Sequence, residues 1–402
     1  MIDIIDIKKA QENLDGIVYK TPLAYAPVLS DMVSNNIYLK KENLQQTGSF
    51  KLRGAFNKIS KLSKQERDKG IVASSAGNHA QGVAYSAKYF NCDATIVMPE
   101  ATPQLKINGV KSYGVDVVLH GDNYDEAYKK AVQICQKEQK NFIHPYEDDD
   151  VICGQATIGL EILQQLNDID IVLVPIGGGG LIAGVAKAIK YHKPDIKIVG
   201  VVASGAMSMK ESFEAKKPIN SKTVKTIADG IAVRDTSEKM LKLLLESIDD
   251  IVKVEDKEIA NAVLFLLEKQ KIVVEGAGAT TVAALLHNRL KIKNKNIVAL
   301  LSGGNIDVTM LSVIIEKGLI KSSRKMNMVV TLIDKPGALK ELTNIFEACQ
   351  ANIVQIDYDR ASLSLDFGDA NVTISLETKG EQHQTDIRKA LRDSAYNFKE
   401  LR

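Results

Sequence analysis

Tryptophan is absent, proline is scarce at nine residues, and neither sign of charge dominates: 52 basic and 50 acidic side chains leave a formal net charge of +2. A balance this even, with no basic block interleaved with aromatics, offers no electrostatic case for a nucleic-acid partner. Long apolar runs are missing too. No window approaches the roughly 18 uncharged apolar residues of a membrane helix. The opening MIDIIDIKKAQENL has no basic stretch leading into an apolar one, so a cytoplasmic protein with no membrane partner is expected. The four cysteines, Cys92, Cys135, Cys153 and Cys349, lie far apart without C-x-x-C spacing and are expected to be reduced core thiols. Six histidines are scattered with no metal-ligand spacing, so no metal site is expected.

What remains is a globular composition, 45% hydrophobic and 25% charged, in a chain of 402 residues that exceeds one ordinary core. From residue 37 to 137, short apolar runs alternate with helical periods: 37–40 then 50–62, 70–74 then 80–89, 94–98 then 104–113, 116–119 then 125–137. That alternation predicts parallel βα units. The continuous apolar run 171–176 reads as a strand buried on both faces and leads into Gly177, Gly178, Gly179 and Gly180, with an apolar helix from Leu181. Residues 203–227 show no regular period, and a last strand at 297–301 ends in Ser302-Gly303-Gly304-Asn305. KSSRK at 321–325 reads as a linker. Residues 326–402 then follow the order βαββαβ, the ferredoxin-like plan. The expected organisation is an α/β domain at 1–320, with a smaller subdomain at about 37–153 inserted in a larger one, and a second domain at 326–402.

Two features carry chemistry. Lys51 follows Gly48, Ser49 and Phe50, and Phe50, Leu52 and Phe56 offer it apolar surroundings. Burial of that kind lowers a lysine's pKa and frees the lone pair a Schiff base requires, although a lone lysine is more often a solvated surface charge. The glycine run sits between a buried strand and a helix, where converging N–H groups and the helix N-terminus favour a phosphate. Gly178, Gly180 and Ala183 satisfy the dinucleotide fingerprint, but the acidic residue it needs after the next strand is missing: that strand ends Val201-Val202-Ala203, and Asp195 precedes it. A single cofactor phosphate is the better reading. Pyridoxal 5'-phosphate joins the two features, covalently at Lys51 and through its phosphate at the glycines.

Four segments in this order, SFKLRGA at 49–55, SSAGNHAQGVA at 74–84, GGGGLIAG at 177–184 and SGGN at 302–305, resemble the pyridoxal-phosphate enzymes of the tryptophan-synthase-β fold. These are the fold-type II enzymes, built on two open parallel-sheet subdomains. The resemblance covers about residues 5–320 and is nearest to threonine dehydratases (threonine ammonia-lyases). It implies that Lys51, with Phe50 beside it, carries the cofactor and later takes the substrate α-proton. It places Asn78 on the cofactor's phenolic oxygen, and Ser302 on its pyridine nitrogen. Gly177, Gly178, Gly179, Gly180 and Leu181 fall on its phosphate. Ser75, Asn78 and His79 fall on the substrate carboxylate. Glu275 in VEGAGA and Asp229 in ADGIAV match segments near the cofactor, with cap or turn roles equally open. Some relatives place a cation-binding carboxylate after the strand that here ends Val202-Ala203-Ser204-Gly205, so no metal is expected there.

The implied reaction is deamination of L-threonine to 2-oxobutyrate and ammonia, with L-serine as a side substrate, in a homodimer or homotetramer. Serine racemase shares all four segments, and a catalytically silent amino-acid sensor is the rival outside enzymes. Residues 326–402 resemble an ACT domain, in which Pro336, Gly337 and Leu339 and the return at Asn352 and Ile353 match a regulatory site. Isoleucine or valine is the implied effector, bound between modules of two subunits.

Overall fold

The computed structural model describes residues 2–361 and 365–401. The chain forms two compact units, the first ending at Ile306 and the second running from Asp307. The strands described in the first are β1 (Leu23–Tyr25), β2 (Asn36–Lys41), β3 (Ile71–Ser74), β4 (Ala94–Met98), β5 (Asp116–Leu119), β6 (Asn141–Phe142), β7 (Ile171–Pro175), β8 (Lys197–Ala203), β9 (Asp250–Val254) and β10 (Asn296–Leu301). They make a six-stranded sheet in the order β1-β2-β10-β7-β8-β9 and a four-stranded sheet in the order β5-β4-β3-β6. Every pairing is parallel except that of β1 with β2. Strand β7 is buried along its whole length, as its unbroken apolar run requires.

One expectation is corrected by the register. The strand expected to open the smaller subdomain at 37–40 pairs with β10 from Asn36 opposite Asn296 to Lys41 opposite Leu301, so it belongs to the large sheet. Alternating periods count βα units without saying which sheet each strand joins. Several elements fall where no period was legible: the helices Pro27–Val33 and Val308–Lys321, strand β9, and the helix Ser208–Ala215 inside the stretch expected to be irregular. That last helix has eight residues and no side-chain cap, and buries Met209 and Ser212. Tertiary burial rather than local pattern holds it. The cysteine expectation is corrected in part: all four are free, but only Cys92 and Cys153 are buried, while Cys135 and Cys349 are half-buried.

In the second unit, β11 (Lys325–Ile333), β12 (Asn352–Asp359), β13 (Asp369–Glu377) and β14 (Asn397–Leu401) form an antiparallel sheet in the order β12-β13-β11-β14. The helices Ala338–Ala348 and Glu381–Asp393 complete the βαββαβ order of a ferredoxin-like domain. Met328, Val330, Ile374 and Leu376 from alternate strand positions pack with Leu342, Phe346, Ile387 and Leu391 from the helices. No helix among the described residues is long and apolar enough to cross a membrane.

Candidate active site

The site is built where four parallel strands end, the crevice that open α/β sheets reserve for ligands. β2 leads through the short turn Glu42–Leu44 to Lys51, β3 leads to Ser75, β7 to Gly177 and β10 to Ser302. The 302–304 backbone is the hub. Phe50 N–H donates to the Ser302 carbonyl at 3.1 Å, Gly304 N–H to that of Gly48 at 2.8 Å, and Glu275 N–H to that of Gly303 at 3.0 Å. Ser49 bridges to Gly303 as well. The segments around Glu275 and Ser302 are thereby fixed against the segment around Lys51, which lies far earlier in the chain.

Lys51 opens the helix Lys51–Lys61, and its Nζ donates to the Pro145 carbonyl at 2.8 Å. No carboxylate makes an ion pair with it among the described residues. Burial lowers its pKa to about 8, against the opposing pull of the Glu275 charge. Glu275 is 4% exposed and is pushed the other way, up to about 7, by burial and then by the nearby Asp229 charge, while Asn78, Lys106 and Lys51 pull it down. Its Oε1 accepts from Asn78 Nδ2 at 2.8 Å. Asp229 itself accepts from Lys106 Nζ at 3.2 Å and from Gly230 N–H at 2.9 Å. Glu275 occupies the cap position of the helix Gly276–Leu286 without capping it through its side chain, which accepts from Asn78 instead.

Two of the helices that start here without a side-chain cap are preceded by glycine. The helix Asn78–Phe90 follows Gly77, which has no side chain to cap it, and Gly77 N–H donates to Ser75 Oγ at 3.1 Å. The helix Gly180–His192 follows Gly179, which takes the left-handed conformation at φ 93°. By contrast, Asp3, Ser63, Asn123, Asp148, Ser237 and Asp307 cap their helices with side-chain oxygens. Free first-turn N–H groups at Asn78 and Gly180 are therefore available to anions. A Cβ on Gly178 would lie 2.5 Å from the Tyr146 ring, and one on Gly180 would lie 2.5 Å from the Tyr146 carbonyl, so only glycine lets this backbone pass the 143–147 segment.

The remaining expected residues divide by how they can act. Ser302 is 2% exposed at the end of β10. Leu181 packs its side chain into the main core and Phe50 packs against that core, which leaves Leu181 its main-chain N–H. His79 is buried, its ring bonded to the Ile143 carbonyl at 2.8 Å, and burial takes its pKa down to about 3. It too has its main-chain N–H to offer an anion. Pro145 and Tyr146 belong to the site yet fall in no motif singled out from sequence. Asn305 lay inside SGGN with no role attached.

Behind Lys51, on the same helix, Arg53 is fully buried in a network of opposite charges. It donates to Glu42 Oε2 and Oε1 at 2.8 Å each, and to Glu161 Oε1 at 2.6 Å. Lys40 Nζ meets Glu161 Oε2 at 2.6 Å and the Thr21 carbonyl at 2.7 Å. Burial works against the Glu42 anion, but Arg53 beside it holds its pKa below the usual range.

The residues expected to bind an effector lie in the second unit. Gly337 starts the helix Ala338–Ala348 with φ 93°, beyond the carboxyl end of β11. Asn352 pairs with Glu377, which faces Lys325 at the amino end of β11. A nine-residue strand separates the two by roughly 25 Å. One chain therefore does not bring Pro336, Gly337 and Leu339 together with Asn352 and Ile353.

The family model described as pyridoxal-phosphate dependent enzyme matches residues 14–303. The chain belongs to that family. An L-threonine ammonia-lyase of Thermotoga maritima is 46% identical over 399 residues, 99% of each chain. The processed threonine deaminase isoform 2 of Solanum lycopersicum matches in structure with a TM-score of 0.74 and 42% identity, covering 78% of this chain and 88% of that one. Maize serine racemase matches with a TM-score of 0.75 and 34% identity, covering 80% and 98%. For a pyridoxal-phosphate family member, the residues fit the cofactor: a half-buried amine without a carboxylate ion pair among the described residues, a glycine-started helix with free N–H groups, and a neutral Ser302. Among the described residues no cluster of three or more His, Cys, Asp or Glu could hold a metal ion, and Ser204 after β8 donates to Glu255 at 2.7 Å.

Proposed function

We propose that the protein deaminates L-threonine to 2-oxobutyrate and ammonia by losing the β-hydroxyl as water, with L-serine to pyruvate as a side reaction. The observation that carries this reading is the half-buried Lys51 amine, without a carboxylate ion-pair partner among the described residues and with a pKa of about 8, in one crevice with the uncapped glycine-started helix. The Thermotoga maritima and Solanum lycopersicum relatives support it with their names. Bound pyridoxal phosphate supplies an aldehyde that condenses with amines and a ring that draws electrons from the substrate Cα. Lys51 Nζ would hold the cofactor by its aldehyde carbon and, when free, would accept the proton from the substrate Cα. Main-chain N–H groups at Gly178, Gly179, Gly180 and Leu181 hold the phosphate. Ser75 and the first N–H groups of the Asn78–Phe90 helix, that of His79 included, hold the carboxylate. Ser302, as a neutral hydroxyl, cannot keep a proton on the pyridine nitrogen as an aspartate would, which disfavours a long-lived carbanion and favours prompt loss of the β-substituent. Borohydride should fix the cofactor to the peptide containing Lys51, and purified protein should release 2-oxobutyrate from threonine. Label on another peptide, or no ketoacid, would sink the reading.

Likeness to maize serine racemase keeps racemisation as the second reading. Racemising requires an acid on the opposite face of Cα, and Ala76 presents a methyl group where serine racemases place a hydroxyl. Pyruvate should therefore far outrun D-serine in chiral analysis of a serine incubation. A silent sensor is disfavoured by the intact Lys51, glycine run and Ser302.

The ferredoxin-like unit acts, in this reading, as an ACT-type regulatory module in a cytoplasmic homodimer or homotetramer. Isoleucine or valine binds with its carboxylate at the helix start after Pro336 and Gly337 of one chain and against Asn352 and Ile353 of a second. The separation of these groups within one chain is the reason a second copy is required. A coupling of about 1 to 3 kcal/mol would change threonine affinity by about 5- to 150-fold. Threonine saturation with and without each amino acid, together with calorimetry on the full chain, tests it. No binding and no change leaves a module that only holds subunits together.

A further inference from the structure

Asn305 has no part in any of the roles above, yet it closes a directed chain of hydrogen bonds. Its Nδ2 donates to the Thr47 carbonyl at 2.8 Å and to Asn78 Oδ1 at 2.7 Å. A main-chain carbonyl only accepts, so the end of Asn305 that meets it is the NH2 end, and the Asn78 atom meeting that same end is oxygen. Asn78 then has its nitrogen at the other end, where Glu275 Oε1 accepts at 2.8 Å. Both termini of the chain, a carbonyl and a carboxyl group, impose the same direction. One N–H of Asn78 is used by Glu275, and the second has no hydrogen-bond partner among the described residues.

Two glycines make room for this chain. A Cβ on Gly48 would lie 2.4 Å from Asn305 Oδ1, and one on Gly303 would lie 2.4 Å from Glu275 Oε1 and 3.1 Å from Asn78 Nδ2. Four separate segments, 47–48, 78, 275 and 303–305, thus converge on the orientation of a single carboxamide. Two half-buried carboxamides joined in this way to the buried Glu275 are held more rigidly than one bonded pair would be.

We propose that Asn305 and Glu275 are positioning residues that lock the Asn78 carboxamide with its donor end available to the phenolic oxygen of the cofactor. This rests on the pyridoxal-phosphate reading of the site. A carboxamide can turn over at little cost when nothing holds it, and the turned form would set a carbonyl oxygen against an oxygen that bears negative charge. The direction of the amide decides whether Asn78 attracts or repels the cofactor there. Asp229 from the turn Asp229–Ile231, Lys106 from the helix Gln104–Lys111 and Lys51 face Glu275 electrostatically and set the pH at which it ionises. Its Oε1 can accept in either protonation state, more strongly when charged.

The test is a double-mutant cycle on the full chain, read by pyridoxal-phosphate binding to the apoprotein and by the absorbance maximum of the bound cofactor. Asn305→Asp places a carboxylate against two acceptors, the Thr47 carbonyl and Asn78 Oδ1. It should weaken cofactor binding about 10- to 100-fold, the range of one hydrogen bond to a charged group, and shift the visible band. In an Asn78→Ala background the same change should cost less than about 2-fold. Glu275→Gln retains an acceptor oxygen and should restore the band while abolishing its pH dependence near 7. Should Asn305→Asp fail to fold, as judged by apoprotein melting, Asn305→Ser with and without Asn78→Ala runs the same cycle. Equal losses in both backgrounds would show a merely structural role and overturn the proposal. Borohydride labelling of Lys51 in the parent protein separates the two failures: no label defeats the cofactor reading, whereas label with additive losses defeats only the roles of Asn305 and Glu275.

Discussion

Lys51 and Arg53 stand two residues apart on one helix, the first half-buried and the second fully buried, and the protein treats these two cations in opposite ways. Arg53 meets two carboxylates, with Lys40 balancing the second, so the four formal charges of the network sum to zero. Lys51 meets a carbonyl and, 5.3 Å from its centroid, the Phe50 ring, and the carboxyl that acts on it electrostatically, Glu275, is itself pushed toward neutrality. A satisfied cluster has no reason to exchange protons, whereas an unsatisfied one is poised to do so near neutral pH. The Arg53 network ties the helix to β2 and to the helix Asp149–Gln165, and so fixes the base from which Lys51 projects.

The contrast can be broken at either side. Lys51→Ala should remove dehydratase activity by more than about 10²-fold, the least expected on losing a positioned acid–base group, without lowering apoprotein stability. Steady-state kinetics beside apoprotein melting check both halves. Arg53→Met should do the reverse: leaving Glu42 and Glu161 without their partner costs about 3–5 kcal/mol in denaturant unfolding. Borohydride labelling should still find Lys51 in whatever fraction remains folded.

The pH dependence of apoprotein stability sharpens the difference. Glu275 has its pKa raised from 4.5 to about 7, so it stabilises fully below about 4.5, and the contribution is lost as pH rises through about 7. The loss should approach about 3 kcal/mol and disappear in Glu275→Gln. Lys51, lowered from 10.5 to about 8, has the opposite slope: stability rises with pH between those values, and Lys51→Met flattens the rise. The smallest effect is expected at the phosphate cradle. Gly180→Ala sets a methyl carbon against the Tyr146 backbone, where nothing flexible can yield, and should cost about 1–3 kcal/mol, read as weaker pyridoxal-phosphate binding by apoprotein.

Much of the site was legible because its parts are local. Lys51, Asn78, the glycine run and Ser302 each sit at a strand-to-helix junction whose residue types announce the backbone geometry there. Asn305 and Tyr146 were not legible in the same way, since their roles arise from contacts with Thr47, Asn78 and the glycines that no spacing encodes. The membership of β2 was hidden for a similar reason. Its apolar pattern says strand, and only pairing with β10 says which sheet.

The sequence by itself determined the βα alternation, the ferredoxin-like order of residues 326–402 and the lysine and glycine segments, because periodicity, helix starts and left-handed turns depend on neighbours along the chain. Tertiary structure alone decided which buried charges are paired. Glu42 lies near Arg53 in sequence, but Glu161 does not, and Glu275 reaches Asn78 only because Gly303 leaves space for it. Desolvation and pairing depend on distances in the folded state, so the separation of a structural cation at Arg53 from a reactive one at Lys51 exists only once the chain has folded.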